Sequence, residues 1–339
     1  MPPRSRLHRP FFSLVENECL KLLRRRRPQM VFAVLIIFLA IATYAQVRRE
    51  QMRRDRDDTA ETDWRPRAER QLASTERRIQ RQRVFVGFTR TLKYRALRLR
   101  YHLERDINPD QETGPLASRA FASVASNLLL PLLVIVLVAD LVSSERSAGT
   151  IKMLLTRPVS RRRVLASKYV TMAIFTSSLV LASALFSWLI AGFGFGWAGW
   201  GAPAITGFRF GLDGPDVSNV RMAPLWLDTL AAYGLTWYAS LCVGGIAVTF
   251  SVLFRSTAAS MGTLMALVVS GVLLGQLASD WELTRWFFVT NLPLSQFYSG
   301  LPPPVVGMTL TESVVVLGVW GVAAIAIGTA VFSRRDVTA

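Results

Sequence analysis

Few side chains in this sequence are of the types and spacings that perform catalysis. The cysteines are Cys19 and Cys242, the histidines are His8 and His102, and none of them stands at metal-ligand spacing. The chain has no G-x-x-x-x-G-K-[ST], H-E-x-x-H or G-x-S-x-G, the patterns of phosphate-binding loops, zinc proteases and serine hydrolases. We therefore predict that the chain is not an enzyme, holds no metal or cofactor, and does not bind ATP through a loop of its own.

Residues 143–163, "SSERSAGTIKMLLTRPVSRRR", lie between two long apolar runs and hold six basic residues and one acid, Glu145. Ile151, Leu154 and Leu155 stand at i, i+3 and i+4, which predicts one apolar face of a short helix. Such a face suits recognition in a groove of a partner protein. The alternative is that it packs on the chain's own helices, while the arginines only fix membrane orientation.

Six apolar runs flank this segment, and each is long enough to cross a bilayer, which needs about 20 helical residues. Asp140 is the only charged residue within them. We therefore predict an all-α polytopic membrane protein with six transmembrane helices. The runs are Met30–Val47, Phe121–Val142, Tyr169–Ala191, Thr229–Phe254, Ala258–Ser279 and Ser313–Phe332.

Charge sets the expected orientation, because cytoplasmic loops are rich in Lys and Arg. Residues 1–28 hold eight basic residues and residues 143–168 hold seven, whereas loops 192–228 and 280–312 together hold three. Both termini are therefore predicted to face the cytoplasm. Segment 48–120 then lies outside, since loops longer than about 60 residues carry little orientation signal. The net charge of +17 follows from this pattern, so no nucleic acid partner is expected.

The predicted organisation has five parts. They are a cytoplasmic tail with an amphipathic connecting helix (1–29), a transmembrane helix (30–47), an external helical insertion (48–120), the five-helix remainder (121–332) and a cytoplasmic tail (333–339). The insertion is either a solvated helix pair or a lid that docks a partner. Short interfacial helices are expected within the aromatic loop 280–312.

Two finer expectations concern helix faces and ends. In the connecting helix, Glu16, Glu18 and Lys21 are predicted to lie opposite the apolar face. The glycines of "GFGFGWAGWGAP", which starts at Gly192, are predicted to prevent the third transmembrane helix from simply continuing.

The stretch "SSERSAGTIKMLLTRPVSRRRVLASKYV" resembles a signature of the membrane subunit, or permease, of type-2, exporter-class ABC transporters. The segment "NLPLSQFYSGLPPPVVGMTL" is similar to the external segment of permeases with a long insertion after the first helix. The signature lies in an acid, a Gly-Thr pair, an apolar helix, a Pro-Val pair, a Ser-Arg pair and a lysine. The matching residues here are Glu145, Gly149-Thr150, Ile151–Leu155, Pro158-Val159, Ser160-Arg161 and Lys168.

The resemblance implies a permease with a cytoplasmic coupling helix within 143–163, driven by a separate ATPase that binds ATP and Mg. Two permease chains, identical or homologous, would associate with two cytoplasmic ATPase copies in a bacterial cell membrane. The residues implied in ATPase coupling are Glu145, Gly149, Thr150, Ile151, Leu154, Leu155, Pro158 and Arg161.

Polar residues within the runs are candidates for a translocation pathway, although such residues more often pack helices together. The candidates are Ser123, Ser126, Asn127, Trp237 and Tyr238. Two other functions remain open. One is a non-transport assembly or signalling subunit on the same scaffold, and the other is an ion-coupled secondary transporter.

Overall fold

The structure is a computed structural model that describes most of the chain as helix. The described residues are 9–56, 64–81, 86–108, 113–149, 160–207, 209–211, 214–216, 220–277, 281–299, 301, 303, 305 and 307–334.

The first half of the described chain is helical throughout. Its helices are α1 (Arg9–Leu23), α2 (Arg26–Arg56), α3 (Arg65–Arg81), α4 (Val86–Glu104), α5 (Gly114–Asn127), α6 (Leu129–Val138), α7 (Ser143–Ser147) and α8 (Arg161–Phe195).

The second half adds four short strands, two 3-10 helices and four α-helices. The strands are β1 (Pro203–Thr206), β2 (Arg209–Gly211), β3 (Gly214–Asp216) and β4 (Arg221–Pro224), with β1 antiparallel to β4 and β2 antiparallel to β3. The helices are α9 (Leu225–Leu253), α10 (Thr257–Leu277), the 3-10 helices Glu282–Trp286 and Val289–Asn291, α11 (Leu294–Tyr298) and α12 (Leu310–Arg334).

Five of these helices are long and apolar enough to cross a membrane: α2, α8, α9, α10 and α12. A sixth span is present if α5 is counted together with α6 and α7, the helices within residues 129–147. A 59° bend separates α5 from these two helices. The predicted all-α multi-pass membrane protein is confirmed at this level. The four strands lie in the loop 192–228, for which the sequence predicted no strand.

The bend between α5 and α6 has a local cause. Pro131 has no N–H, and its ring would clash with the carbonyl four positions earlier, at Asn127, in a continuous helix. Helix α5 accordingly ends at Asn127, and Leu128 adopts φ −136°, ψ −48° before α6 begins. The two segments are therefore separate rods joined at one residue.

Helix α9 is the centre of the bundle. Of its most apolar 18-residue stretch, 72% is buried, against 22% for the corresponding stretches of α2 and α10. It packs against α5, α6, α8, α10, α11 and α12. Gly244 permits the close approach of α8, because a Cβ there would lie 2.5 Å from Met172 Sδ.

The bundle has two ends, which we name by their neighbours. At the α1 end lie α1, α7 and the start of α8, and at the hairpin end lie α3, α4, the strands and α11. Helices α3 and α4 pack together as a hairpin in which Leu92, Ala96 and Leu99 are buried.

The helices overrun the apolar runs of the sequence. Helix α8 continues through Gly192 to Phe195 and stops within the glycine-rich stretch, as predicted, about one turn after that stretch begins. It ends at Gly196, whose φ of +90° lies where residues with a Cβ are strained. Arg119, Lys168 and Asp228 also fall inside α5, α8 and α9, beyond the predicted ends of the spans.

Candidate functional site

Glu145 lies on α7 at the α1 end of the bundle and is buried, with 7% of its surface exposed. Its Oε2 lies 2.8 Å from Lys168 Nζ of α8, and its Oε1 accepts a hydrogen bond of 2.9 Å from Lys21 Nζ of α1. The carboxylate of Glu145 thus joins α1, α7 and α8, shortly before residues 150–159 in the chain.

Glu18 completes this arrangement from α1. Its Oε2 lies 2.7 Å from Lys168 Nζ and its Oε1 lies 2.7 Å from Lys21 Nζ. Lys168 has no exposed surface, and it also donates a 2.8 Å hydrogen bond to the carbonyl of Leu141. We call Glu18, Lys21, Glu145 and Lys168 the Glu145 charge cluster. Its two acids and two bases compensate each other, which a buried set of charges requires.

The pKa values of the two α1 members reflect this pairing. Burial by itself raises the pKa of Glu18, but attraction to Lys168 and Lys21 outweighs it, and the pKa is lowered from 4.5. Burial lowers the pKa of Lys21, but hydrogen bonds to Glu18 and Glu145 outweigh it, and the pKa is raised from 10.5. Both groups are therefore charged at neutral pH.

The docking of α1 is expected to depend on pH. The contribution of Glu18 is present above pH 4.5 and is lost as the pH falls through the lower pKa of the folded state. That of Lys21 is present below pH 10.5 and is lost as the pH rises through its higher folded pKa. The apparent melting temperature of the purified chain should stay level between these limits and fall on the acid side. In a Glu18→Gln variant the apparent melting temperature should fall less at acidic pH. An equal fall in the variant would contradict the role of Glu18 and Lys21 in the docking of α1.

A second buried acid lies beside the cluster. Asp140 Oδ2 is 2.7 Å from Arg25 Nη1 and 2.5 Å from Arg27 Nη1, while Arg25 Nη2 donates to Ser144 Oγ at 3.1 Å. These arginines belong to the basic run before the first span. They therefore neutralise a carboxylate inside the protein, besides any effect on orientation.

Helix α9 also forms hydrogen bonds with α7 and the residue before it. Ser251 Oγ accepts hydrogen bonds of 2.9 Å from the backbone N–H groups of both Val142 and Ser143. Arg146 Nη1 donates to the carbonyl of Val252 at 3.0 Å. Helix α7 is thus fixed to α1, α8 and α9 by polar contacts.

The structure places three of the predicted coupling residues. Glu145 is buried in the cluster, Gly149 follows α7 in a left-handed turn with φ +70°, and the half-buried Arg161 opens α8 directly after Ser160 at the N-cap position. The other five, Thr150, Ile151, Leu154, Leu155 and Pro158, lie outside the described residues. Glu145 contacts other helices of this chain, so its side chain is a support for the segment.

The predicted pathway residues do not share one surface. Ser123 and Ser126 lie between α5 and α11, where Ser126 Oγ is 2.9 Å from Ser295 Oγ, and Asn127 is half-buried at the end of α5. Trp237 Nε1 donates to Ser177 of α8. The hydroxyl of Tyr238, the residue after Trp237, instead donates to the carbonyl of Val314 of α12. The structure therefore brings Ser123 and Ser126 together and separates Trp237 and Tyr238 from them.

Sequence reasoning missed the partners of Glu145. Glu18 was assigned to the polar face of the connecting helix, yet it is 5% exposed and points to Lys168, whereas the apolar Phe12 is 71% exposed. The available signal was an acid on α1 and a lysine one residue before a span. Hydrophobic periodicity cannot detect a buried ion pair, because it scores each charge as solvent-facing.

The chain is similar to two proteins of Bacillus subtilis (strain 168), one of which is named as a membrane protein. The uncharacterized protein YhcI of Bacillus subtilis (strain 168) is 29% identical over 239 residues, which cover 70% of this chain and 74% of that protein. The uncharacterized membrane protein YdbK of the same organism is 29% identical over 214 residues, covering 62% of this chain and 79% of YdbK.

A family description matches most of the chain. The matched residues, 82–338, run through the second helix of the hairpin and the whole bundle from α5 to α12. No group of three or more His, Cys, Asp or Glu side chains within the described residues could hold a metal ion. By this match, the chain belongs to DUF2705, a family of proteins of unknown function.

Proposed function

We propose that the chain is the membrane subunit of an ATP-driven ABC exporter and that residues 150–159 dock on a separate cytoplasmic ATPase. The observation that carries this proposal is the Glu145 charge cluster. It fixes the two flanks of the segment, α7 and the start of α8, to one another and to α1.

The cluster gives the segment a mechanical role. A partner that moves residues 150–159 would move α7 and α8 together, because Glu145 and Lys168 join them across a 2.8 Å ion pair. Helix α1 would follow through Glu18 and Lys21. Work done on a short segment would thus reach helices that cross the membrane.

Charge supports the cytoplasmic placement of the α1 end. The basic runs of α1 and of the α8 start lie together there, as the positive-inside rule expects. With α5 and α6 counted as one bent span, the chain has six spans, and both termini then lie on the cytoplasmic side. The hairpin of α3 and α4 is external in this arrangement, in a bacterial cell membrane.

The transport unit would pair two permease chains, identical or homologous, with two ATPase copies. ATP and Mg would bind in the ATPase, and this chain would supply the pathway and the coupling segment. The chain would take part in no chemical step, which agrees with the lack of catalytic motifs in its sequence.

A Leu154→Arg substitution is expected to reduce recovery of the ATPase by at least about tenfold, since it places a charge on the apolar anchor face. The measurement is purification of the tagged chain from its own host, with identification of the partner by mass spectrometry and assay of ATP hydrolysis. Leu283→Arg is the matched control, because Leu283 is 82% exposed at the hairpin end.

Two outcomes would contradict the proposal. One is that no ABC ATPase accompanies the unmodified chain; the other is that Leu154→Arg retains as much ATPase as Leu283→Arg. A Glu145→Ala variant should keep the chain in the membrane and lose stimulation of ATP hydrolysis. The cause would be that the segment loses the support of Lys21 and Lys168.

A further inference from the structure

A buried arginine at the hairpin end ties three separate elements together. Arg119 of α5 is 6% exposed, and its Nε lies 2.5 Å from Oδ2 of Asp228, an α9 residue that is 2% exposed. Its Nη1 donates to Ser123 Oγ at 2.5 Å, and its Nη2 donates to Ser299 Oγ directly after α11. One guanidinium therefore connects α5, α9 and the end of α11.

Helix α5 is the element that this arginine restrains. At its C-terminal end the chain bends by 59° at Leu128, so α5 and α6 are separate helical segments that meet at one residue. Arg119 lies in the first half of α5, nine residues before Leu128. A restraint at this distance from a bend is one that can set the position of a whole helix.

Hydroxyl groups form part of the contact between α5 and its neighbours, beside the buried apolar side chains of Phe121, Ala122 and Ala125. Ser118 Oγ lies 2.8 Å from Ser187 Oγ of α8, which in turn lies 2.6 Å from the hydroxyl of Tyr233 on α9. Near the bend, Ser126 and Ser295 pair in the same way. Water or a polar group can replace these hydrogen bonds at small net cost.

The hairpin reaches the same arginine through Ser299. Tyr94 of α4 is 5% exposed, and its hydroxyl donates to the carbonyl of Ser299 at 3.3 Å. Burial raises the pKa of the Tyr94 phenol against the effect of Arg98 and Arg119, so the group is a donor at neutral pH. Tyr94 and Arg119 thus hold one residue from two sides.

We propose that the Arg119–Asp228 pair is a latch that holds α5 against α8, α9 and α11, and that the external hairpin sets its strength through Tyr94 and Ser299. Release of the latch swings α5 about Leu128 and exposes a cleft lined by hydroxyls of Ser118, Ser187 and Tyr233. The latch does not depend on the proposed ATPase, because every contact lies within this chain.

The test measures access to the cleft with a cysteine reporter. Ser187→Cys places a near-isosteric thiol on a side chain that is 2% exposed, in a chain whose two cysteines are replaced by serine and alanine. The chain is held in lipid nanodiscs, and the rate of reaction with a water-soluble maleimide is followed. Ser167→Cys is the matched reporter, since it is 1% exposed on the same helix at the α1 end.

Asp228→Asn is expected to raise the labelling rate of Ser187→Cys by at least about tenfold, because it removes the charge that holds Arg119. Ser299→Ala and Tyr94→Phe should each raise it by roughly threefold. Ser299→Ala removes the hydrogen bond from Arg119 and the one to the carbonyl of Ser295, Tyr94→Phe removes the one to the carbonyl of Ser299, and both leave the ion pair intact. Glu312→Gln is the matched control. It breaks the 3.0 Å Arg285–Glu312 pair at the same end, which does not touch α5.

An unchanged rate in Asp228→Asn overturns the latch, and so does an equal rise in Glu312→Gln. A parallel rise at the Ser167→Cys reporter also overturns it, because general loosening would then explain the result. If Asp228→Asn does not fold, Ser299→Ala decides the matter, and an unchanged rate there overturns the proposal. An unchanged rate in Tyr94→Phe alone removes the hairpin from the proposal and contradicts it in that part.

Discussion

Replacing Lys168 with methionine is expected to lower the free energy of unfolding by about 3–5 kcal/mol, the usual cost of removing one partner from a buried ion pair. Methionine is an unbranched side chain one atom shorter than lysine, and it removes the charge. Glu18 and Glu145 would then face each other with only the partly exposed Lys21 to compensate them. The carbonyl of Leu141 would also lose its 2.8 Å hydrogen bond from Nζ.

The measurement is the apparent melting temperature of the full chain in detergent or nanodiscs, where a loss of this size corresponds to a fall of roughly 5–10 °C. Arg162→Met is the matched control, because Arg162 is an exposed base at the start of the same helix. Adding Glu145→Gln to Lys168→Met should recover part of the loss, since it removes one uncompensated charge. A melting temperature equal to that of Arg162→Met would contradict the role given to Lys168.

Replacing Gly114 with alanine is expected to destabilise the protein by about 3 kcal/mol through overpacking. A Cβ at this position would lie 2.3 Å from the carbonyl oxygen of Gly196 and 3.2 Å from that of Ala191. Both atoms belong to the backbone at the end of α8, so no side-chain rotation relieves the clash. The first turn of α5 must instead move away from α8.

This displacement should also reach the hairpin end as a whole, because Arg119 lies on the same helix. Gly201→Ala is the control, since a Cβ there meets no atom within 4 Å. We expect a lower melting temperature and faster labelling of a Ser187→Cys reporter for Gly114→Ala, and neither change for Gly201→Ala. A Gly114→Ala variant as stable as Gly201→Ala would show that the two helix ends adjust without cost.

Mutations in the two sets of buried charges are expected to have different effects. The Glu145 charge cluster joins α1, α7 and α8, the last two of which flank in sequence the segment proposed to bind the ATPase. The Arg119–Asp228 pair joins α5 and α9 at the opposite end. Variants of the first are expected to alter coupling and the docking of α1, and variants of the second to alter opening at the hairpin end.

Sequence predicted the class of protein well because one physical effect dominates it. A bilayer requires runs of about 20 apolar residues, and such runs are visible without any tertiary information. Five of the predicted runs coincide with single long helices, and the sixth is the bent pair α5 and α6. Pro131 marked the place of the bend, although its 59° angle depends on packing.

The ends of the spans were predicted less well, for a related reason. Each predicted run began within three residues after a charge, whereas α5, α8 and α9 begin earlier and include Arg119, Lys168 and Asp228. These charged residues can lie inside the helices because each of them pairs with an opposite charge on another helix. A partner far away in the chain leaves no trace in a local hydropathy pattern.

For the candidate site, sequence alone determined which residue types are present in segment 143–163, and a family resemblance gave Glu145 and Lys168 a shared context. Only the tertiary structure decided that these two form an ion pair, and that Glu18, 150 positions before Lys168, is a partner of the same lysine. Hydrophobicity is a property of each residue and can be read along the chain. Compensation of a buried charge is a property of pairs, and the fold alone determines which pairs meet.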